Sequence, residues 1–373
     1  MIRHAQPAVR PVVTGLGVLS AAGTGPAALA EATAHGKAAF AAVTRFDVSA
    51  RRTTRAALLP EPRPLADAVL AAADQACHQA GLPPAPGDGG LPVLLALHSD
   101  LRTRAAVADV AAGTAAAWGA RGVTRTYTGA CVAAGTAVAD AAALVAGGRH
   151  PRVLVVAGHL VEPGVFAAFD AGRALARDGE LRPFSAGRTG TLLGDAAAAV
   201  VIEAEPEAER RGAPVLARLA GWGRTGDAHH VCRPEPEGEG AARAIEAALA
   251  RAGVAPAEIG YVNANGTGSP LADRAEASAL RRVFGEHAAR LPVSSSKAVH
   301  GHALEASALL ELVVTISALN EGLLPVNAGW LGPDPDIGLD LVLDGPRTAR
   351  ARYALTLNSA FGGANTALLV AAR

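Results

Sequence analysis

Sulfur chemistry is possible at Cys131. The stretch Thr126–Gly148, TYTGACVAAGTAVADAAALVAGG, passes from a turn at Thr128-Gly129-Ala130 into a proline-free run of mostly alanine and valine, closed by Gly147-Gly148. Apolar residues on nearly every side of a helix imply that it is buried. A cysteine at the N-terminus of such a helix meets free backbone N–H groups and the positive end of the helix dipole. Both favour the thiolate, which is the nucleophilic form. Free cysteines are also common core residues, so this run alone leaves a structural reading open beside the catalytic one.

Three further loops carry reactive side chains: Asn263–Pro270 (NANGTGSP), Ser294–His302 (SSSKAVHGH) and Asn358–Asn365 (NSAFGGAN). Each follows an apolar run that reads as a strand. In α/β sheets, sites gather beyond the carboxyl ends of strands, so these loops and the cysteine turn are expected to converge. A compact HHVC run, His229-His230 with Cys232, sits in a proline-rich loop with no second ligand pair. A zinc site needs about four ligands, and no metal is expected. Gly15 and Gly17 match only part of a dinucleotide fingerprint, because Ser20 stands at the third glycine position and no acid ends a second strand.

The elements that must position these loops alternate. Strands are expected at Arg10–Gly17, Leu91–Leu97, Arg152–Gly158, Asp195–Glu203, Val215–Ala220, Ile259–Asn263 and Pro292–Ser296, with a closing hairpin from Tyr353–Leu357 and Thr366–Ala371. Helices are expected after Gly25, at Pro64–Ala80, Arg102–Ala120, Gly240–Ala252 and Asp273–Phe284, and as one long apolar helix over Gly301–Leu319. Pro60–Pro64 and Pro83–Gly90 read as exposed loops. This alternation implies a mostly parallel sheet with helices on both faces. The polar run Glu203–Gly212 reads as a solvated joint between two tandem halves, 1–205 and 206–373, that repeat one organisation.

Composition narrows the functional class. The 373 residues are 50% hydrophobic, enough for a large core, and only 3% aromatic, so close packing of small residues is expected. A formal net charge of zero offers no electrostatic footprint for nucleic acid. No charged-then-apolar leader opens the sequence and no apolar run reaches membrane-spanning length. Three widely spaced cysteines, Cys77, Cys131 and Cys232, fit a reducing compartment, so a cytoplasmic protein is expected.

Six ordered segments together resemble the β-ketoacyl synthases of the thiolase superfamily, the elongating type of fatty-acid and polyketide assembly. They are RPVVTGLGVLSAAG, TGACVAAGTAV, LRPFSAGRTGTLLGDAAAAVVIE, VNANGTGSPLADRAEASAL, SSSKAVHGH and NSAFGGANTALLV. The resemblance implies a thiolase-like fold, a doubled α/β/α/β/α five-layer sandwich from two tandem halves, working as a homodimer or beside another ketosynthase subunit. It implies that Cys131 accepts the acyl group, and that His302, Lys297 and the residue at Asn265 form the rest of the catalytic set. Phe361 matches a gating residue whose N–H, with that of Cys131, forms an oxyanion hole. Thr267, Gly362 and Gly363 would contact substrate, and Glu276 would act as a structural acid behind the site. No resident cofactor is implied, since an acyl carrier protein or CoA brings the phosphopantetheine arm.

The departures shape the functional expectation. The family has histidine where this chain has Asn265. An amide donates a hydrogen bond but carries no charge and exchanges no proton. Glu305 follows Gly301-His302 where relatives have a small residue, the segment between Leu97 and Cys131 is short, and Ser359-Ala360 precede Phe361. The expected activity is therefore acyl transfer through Cys131 with weakened malonyl decarboxylation. Ordinary decarboxylative condensation and a non-catalytic chain-length partner are the alternatives.

Overall fold

A computed structural model describes residues 9–83, 90–98, 103–120 and 123–373. Part of the Pro83–Gly90 loop and the first residue of the expected Arg102–Ala120 helix lie outside the described residues.

The first half runs β1 (Pro11–Ser20), α1 (Pro26–Ala34), α2 (Leu65–Gln79), β2 (Val93–Ala96), α3 (Thr103–Trp118), β3 (Val123–Tyr127), α4 (Ala133–Ala146), β4 (Arg152–His159), α5 (Pro163–Ala171) and β5 (Ala196–Ala204). The second runs β6 (Ala217–Gly226), α6 (Glu239–Ala252), β7 (Ile259–Asn263), α7 (Pro270–Phe284), β8 (Pro292–Ser294), α8 (Lys297–His300), α9 (Ser307–Glu321), β9 (Tyr353–Ser359) and β10 (Ala364–Ala371). Hydrogen bonds order the strands β3-β2-β4-β5-β1 in the first half and β8-β7-β9-β10-β6 in the second. The two orders are the same permutation. The halves are joined through β1 and β6 by two residue pairs, Val12 with Arg218 and Val13 with Ala217.

The expected mostly parallel sheet is corrected to a mixed one. Pairs β2–β3, β2–β4, β7–β8 and β7–β9 are parallel. The centre, β4–β5, β5–β1, β1–β6, β6–β10 and β10–β9, is antiparallel. No crossover helix packs between the last two strands of either half; β9 and β10 form a hairpin, which can only be antiparallel.

The layers follow from which helices are apolar all round. In α9, Leu309, Leu310, Leu312, Val313, Val314 and Ile316 are all buried, and α4 is buried on most sides. These two helices touch each other and strands of both halves, so they form the middle layer. Outside them, α2 covers β1, β4 and β5, and α6 covers β6 and β10; α3 packs on α2, and α7 on α6. Five layers result, as expected.

Close approach explains the glycines near the N-terminus. A Cβ on Gly15 or Gly17 would lie 1.9 Å from the carbonyl oxygen of Ala76 or Ala72 on α2. The second half repeats the device: a Cβ on Gly221 or Gly223 would lie 2.1 or 1.9 Å from the carbonyl oxygens of Ala248 and Ala244 on α6. These glycines seat a helix on a strand and are not a nucleotide turn.

Two other expectations change. The long apolar helix starts at Ser307, not Gly301, because Gly301 (φ 72°) and Leu304 (φ 39°) break the helical path. The Glu203–Gly212 run is not simply solvated. Glu203 is fully buried, with Arg211 Nη2 at 2.6 Å and Arg152 Nη2 at 3.2 Å from its carboxylate. Nearby arginines supply the partners that a buried charge requires.

Candidate active site

Cys131 lies in a single 3₁₀ turn, Ala130–Val132, just before α4. Ala130 is held at φ 51°, a region that costs a residue with a Cβ about 1 kcal/mol or more. The turn places Cys131 Sγ 3.1 Å from His302 Nε2, and His302 Nδ1 lies 2.9 Å from Ser307 Oγ at the start of α9. The ring is thereby fixed at both nitrogens. The Ser307 hydroxyl can donate or accept, so it accommodates either tautomer.

The expected thiolate is not the resting form. Burial pushes the Cys131 thiol up to about 12, and the nearby Glu305 carboxylate adds to the effect; Lys297 opposes it. Desolvation of the charged form outweighs the helix-end dipole. Burial, then Lys297, hold His302 well below its ordinary value. The resting pair is therefore thiol and neutral imidazole, in contact at 3.1 Å.

A buried polar network backs this pair. Lys297 Nζ donates to the carbonyl oxygen of Asn265 at 2.7 Å and to its side-chain Oδ1 at 3.1 Å, and pairs with Glu311 Oε1 at 2.5 Å. Glu311 Oε2 accepts from Asn358 Nδ2 at 2.6 Å. Glu276 accepts the N–H groups of Asn265 and Gly266 at 2.7 and 2.8 Å. Glu276 thus fixes the loop after β7 and itself lines the cavity. With its oxygen held by Lys297, Asn265 turns its NH₂ group the other way.

Cys131, His302, Asn265, Thr267, Glu276 and Phe361 all line one cavity of about 180 Å³, so the four loops do converge. Lys297 stands behind the wall, fully buried. Phe361 is 54% exposed and its ring lies 5.8 Å from that of Phe169 at the cavity mouth. Gly362 and Gly363 are not among the lining residues. Gly362 N–H donates to Val231 O at 2.8 Å, and Asp227 N–H donates to Gly363 O at 2.8 Å. They dock the 227–235 loop over the cavity. That loop brings Cys232 to the lining, while the ring of His230 accepts the Cys232 N–H at 3.0 Å.

Sequence reasoning flagged Glu305 but not its partners. Glu305 is buried, with His98 Nδ1 at 3.0 Å and His159 Nδ1 at 3.3 Å from its oxygens. Burial raises the carboxyl, but the two nearby rings outweigh it and lower the group to about 2. Ser307 was also missed, because the sequence places it inside the expected Gly301–Leu319 helix and not at the helix start that lets its hydroxyl meet His302. Among the described residues no group of His, Cys, Asp and Glu is arranged to hold a metal ion, and no helix is long and apolar enough to cross a membrane.

Comparison with known proteins adds family information. The model of the β-ketoacyl synthase N-terminal domain matches residues 63–208, and that of the C-terminal domain matches residues 216–330. "Nodulation protein E" of Rhizobium meliloti is 40% identical over 253 residues, covering 67% of this chain and 62% of that relative. The matched region thus spans less than two thirds of that relative's length. Among solved structures, a type II PKS acyl-carrier protein in complex with its ketosynthase bound to the hexaketide (AntDE:AntF) superposes with a TM-score of 0.92 at 25% identity, covering 99% of this chain and 100% of that one. The ishigamide ketosynthase/chain length factor gives 0.89 at 27% identity, with 98% and 99% covered.

Proposed function

This chain belongs to the β-ketoacyl synthase family, and from that premise we propose that it is an acyltransferase working through Cys131. An acyl carrier protein or CoA presents a thioester in the cavity. The Cys131 sulfur adds to the carbonyl carbon as its proton passes to His302 Nε2. The tetrahedral adduct collapses, the carrier sulfur leaves with that proton, and the acyl group remains on Cys131 as a new thioester. The N–H groups of Cys131 and Phe361 are the proposed oxyanion donors; such donors contribute about 3–4 kcal/mol each in related chemistry. The acyl group then passes to an acceptor nucleophile.

The observation that carries this reading is the 3.1 Å contact between Cys131 Sγ and His302 Nε2 on a cavity wall shared with Asn265. This contact supports acyl loading with Cys131 as nucleophile and His302 as base. Malonyl decarboxylation leaves an enolate oxygen that needs strong stabilisation, and the neutral amide of Asn265 supplies less of it than an imidazole able to share a proton. Acyl transfer with slow decarboxylation follows.

A second reading is decarboxylative condensation to a β-ketoacyl product. It is favoured by one observation: Lys297 holds Asn265 Oδ1, leaving the amide NH₂ as a donor on a cavity wall that His302 also lines. The native assembly is proposed to be a homodimer or a pair with another ketosynthase-type subunit. The intact catalytic pair argues against a purely non-catalytic partner.

Intact-protein mass spectrometry with an acyl carrier or an acyl N-acetylcysteamine thioester tests the main reading. The expected result is a mass gain of one acyl group on the native protein and none on Cys131→Ala. No gain on the native protein, or an equal gain on the variant, overturns it. Product analysis with malonyl carrier separates the second reading: a β-ketoacyl product at a rate matching acyl loading favours condensation.

A further inference from the structure

A second cavity, about 430 Å³, shares no lining residue with the first. Its lining includes His98, His159, Leu97, Leu160 and Val165, and neither Cys131 nor His302. Between the two cavities runs the turn Leu304–Ala306, which packs against both the Cys131 turn and strand β4. Leu304 shares an apolar cluster with Cys131, Val161 and Phe166. The next residue, Glu305, reaches the opposite way to His98 and His159, which line the second cavity. The wall behind the nucleophile is therefore apolar on its near side and carries a buried carboxylate and two imidazoles on its far side.

We propose that Glu305, with His98 and His159, is a specificity wall that restricts the acyl group on Cys131 to short chains, acetyl or propionyl in size. The inference rests on the acyl-transfer reading and names its substrate class. A short acyl group on Cys131 ends against Leu304, Val161 and Phe166. A longer one must continue past the turn toward the second cavity. There its methylenes meet a desolvated carboxylate whose Oε1 is hydrogen-bonded to His98 and whose Oε2 lies 3.3 Å from His159 with no hydrogen bond among the described residues, and inserting them separates the ion from these partners with no compensating polar contact. His159 is buried and its Nε2 has no hydrogen-bond partner among the described residues. An apolar tail leaves that nitrogen unsatisfied too. The backbone fixes this wall in place, since Leu304 is held at φ 39°.

Loading of Cys131 from acetyl, hexanoyl and decanoyl N-acetylcysteamine thioesters, followed by intact-protein mass spectrometry, is the first test. The native protein is expected to load acetyl at least about tenfold faster than decanoyl. Glu305→Gly opens the wall and should bring that ratio within about twofold. Equal loading of all three by the native protein, or an unchanged ratio in a folded Glu305→Gly protein, overturns the wall. Acetyl loading without a chain-length effect leaves the acyl-transfer reading standing and removes only this inference. Labelling of Cys131 with N-methylmaleimide and N-octylmaleimide, read by peptide mapping, needs no thioester chemistry. If no thioester loads, the acyl-transfer reading fails, and the methyl-to-octyl rate ratio still decides the wall: well above one supports it, near one overturns it. Glu305→Gln keeps the shape and removes the charge. It serves where the glycine variant fails to fold, and a ratio lying between those of native protein and an open site is expected; an unchanged ratio counts against the wall.

Discussion

The ammonium of Lys297 holds Asn265 at two points, its backbone oxygen at 2.7 Å and its side-chain oxygen at 3.1 Å. A cation on the oxygen side of an amide dictates its orientation: the NH₂ end faces away, and Asn265 lines the reactive cavity. An imidazole in the same place would have a cation behind it and burial around it, so it would remain neutral. Asn265→His is therefore expected to supply a neutral donor able to share a proton with a developing enolate. The rate of CO₂ release from a malonyl thioester should rise at least about tenfold, roughly 1.4 kcal/mol of barrier. An unchanged rate would show that the asparagine already fills the role, and would favour the condensation reading.

The same lysine is the only cation reaching the carboxylate of Glu311 among the described residues, at 2.5 Å. Both side chains are fully buried. Removing one partner of such a pair leaves a desolvated charge, which costs about 3–5 kcal/mol. Lys297→Ala should lower the urea midpoint accordingly. Lys297→Met with Glu311→Gln removes both charges and keeps an acceptor for Asn358, so most of the loss should return. A double variant as unstable as the single one would mean that the pair's value lies in packing, not charge.

The resting state of Cys131 is open to titration. With the thiol pushed up to about 12, the thiolate fraction at pH 8 is about one in ten thousand. Iodoacetamide labelling of Cys131, followed by peptide mapping to separate it from exposed Cys232, should rise about tenfold per pH unit from pH 8 to 11. Glu305→Gln removes a negative charge that raises the thiol, so labelling at a fixed pH should speed up. A plateau below pH 9 in the native protein would point instead to a resting thiolate.

Acid should weaken the native fold through Glu305. Its carboxyl is lowered to about 2 by His159 and His98, against an ordinary 4.5. A depressed carboxyl contributes stability that is present above its unfolded value and is lost as pH falls toward the folded one. The contribution is about 3 kcal/mol at neutral pH and about half that at pH 3. Urea midpoints of native protein and Glu305→Gln should therefore converge as pH falls from 6 to 3. A gap that stays constant over that range would show that the carboxylate is not ionised in the folded protein.

The four loops were legible because each is a contiguous run at the end of an apolar strand; the resemblance to β-ketoacyl synthases then singled out Asn265, His302 and Phe361 beside Cys131 without coordinates. What stayed hidden depends on distance along the chain. Glu305 meets His98 across 207 residues, and no local spacing signals that contact. The thiol's protonation was misread because the helix-end dipole is visible in sequence, while burial, the larger effect here, is not. Sheet direction was misread for a related reason. Alternating strands and helices describe the outer strands well, but the last two strands of each half turn back without a crossover helix packed between them.

The duplicated glycine device gives the last prediction. Gly15 and Gly17 on β1 face Ala76 and Ala72 on α2, as Gly221 and Gly223 on β6 face Ala248 and Ala244 on α6. In each case an added methyl would sit about 2 Å from a helix carbonyl oxygen, a backbone atom that cannot rotate aside. The helix must lift from the strand, and overpacking of this kind costs about 1–3 kcal/mol or more. Gly17→Ala and Gly223→Ala should each lower stability by about 3 kcal/mol in urea unfolding. Gly25→Ala, where no atom lies within 4 Å of the added methyl but φ is 93°, separates the two causes of loss. Its penalty is backbone strain alone, about 1–2 kcal/mol. Equal losses at all three sites would make strain, not helix contact, the reason for the glycines on β1 and β6.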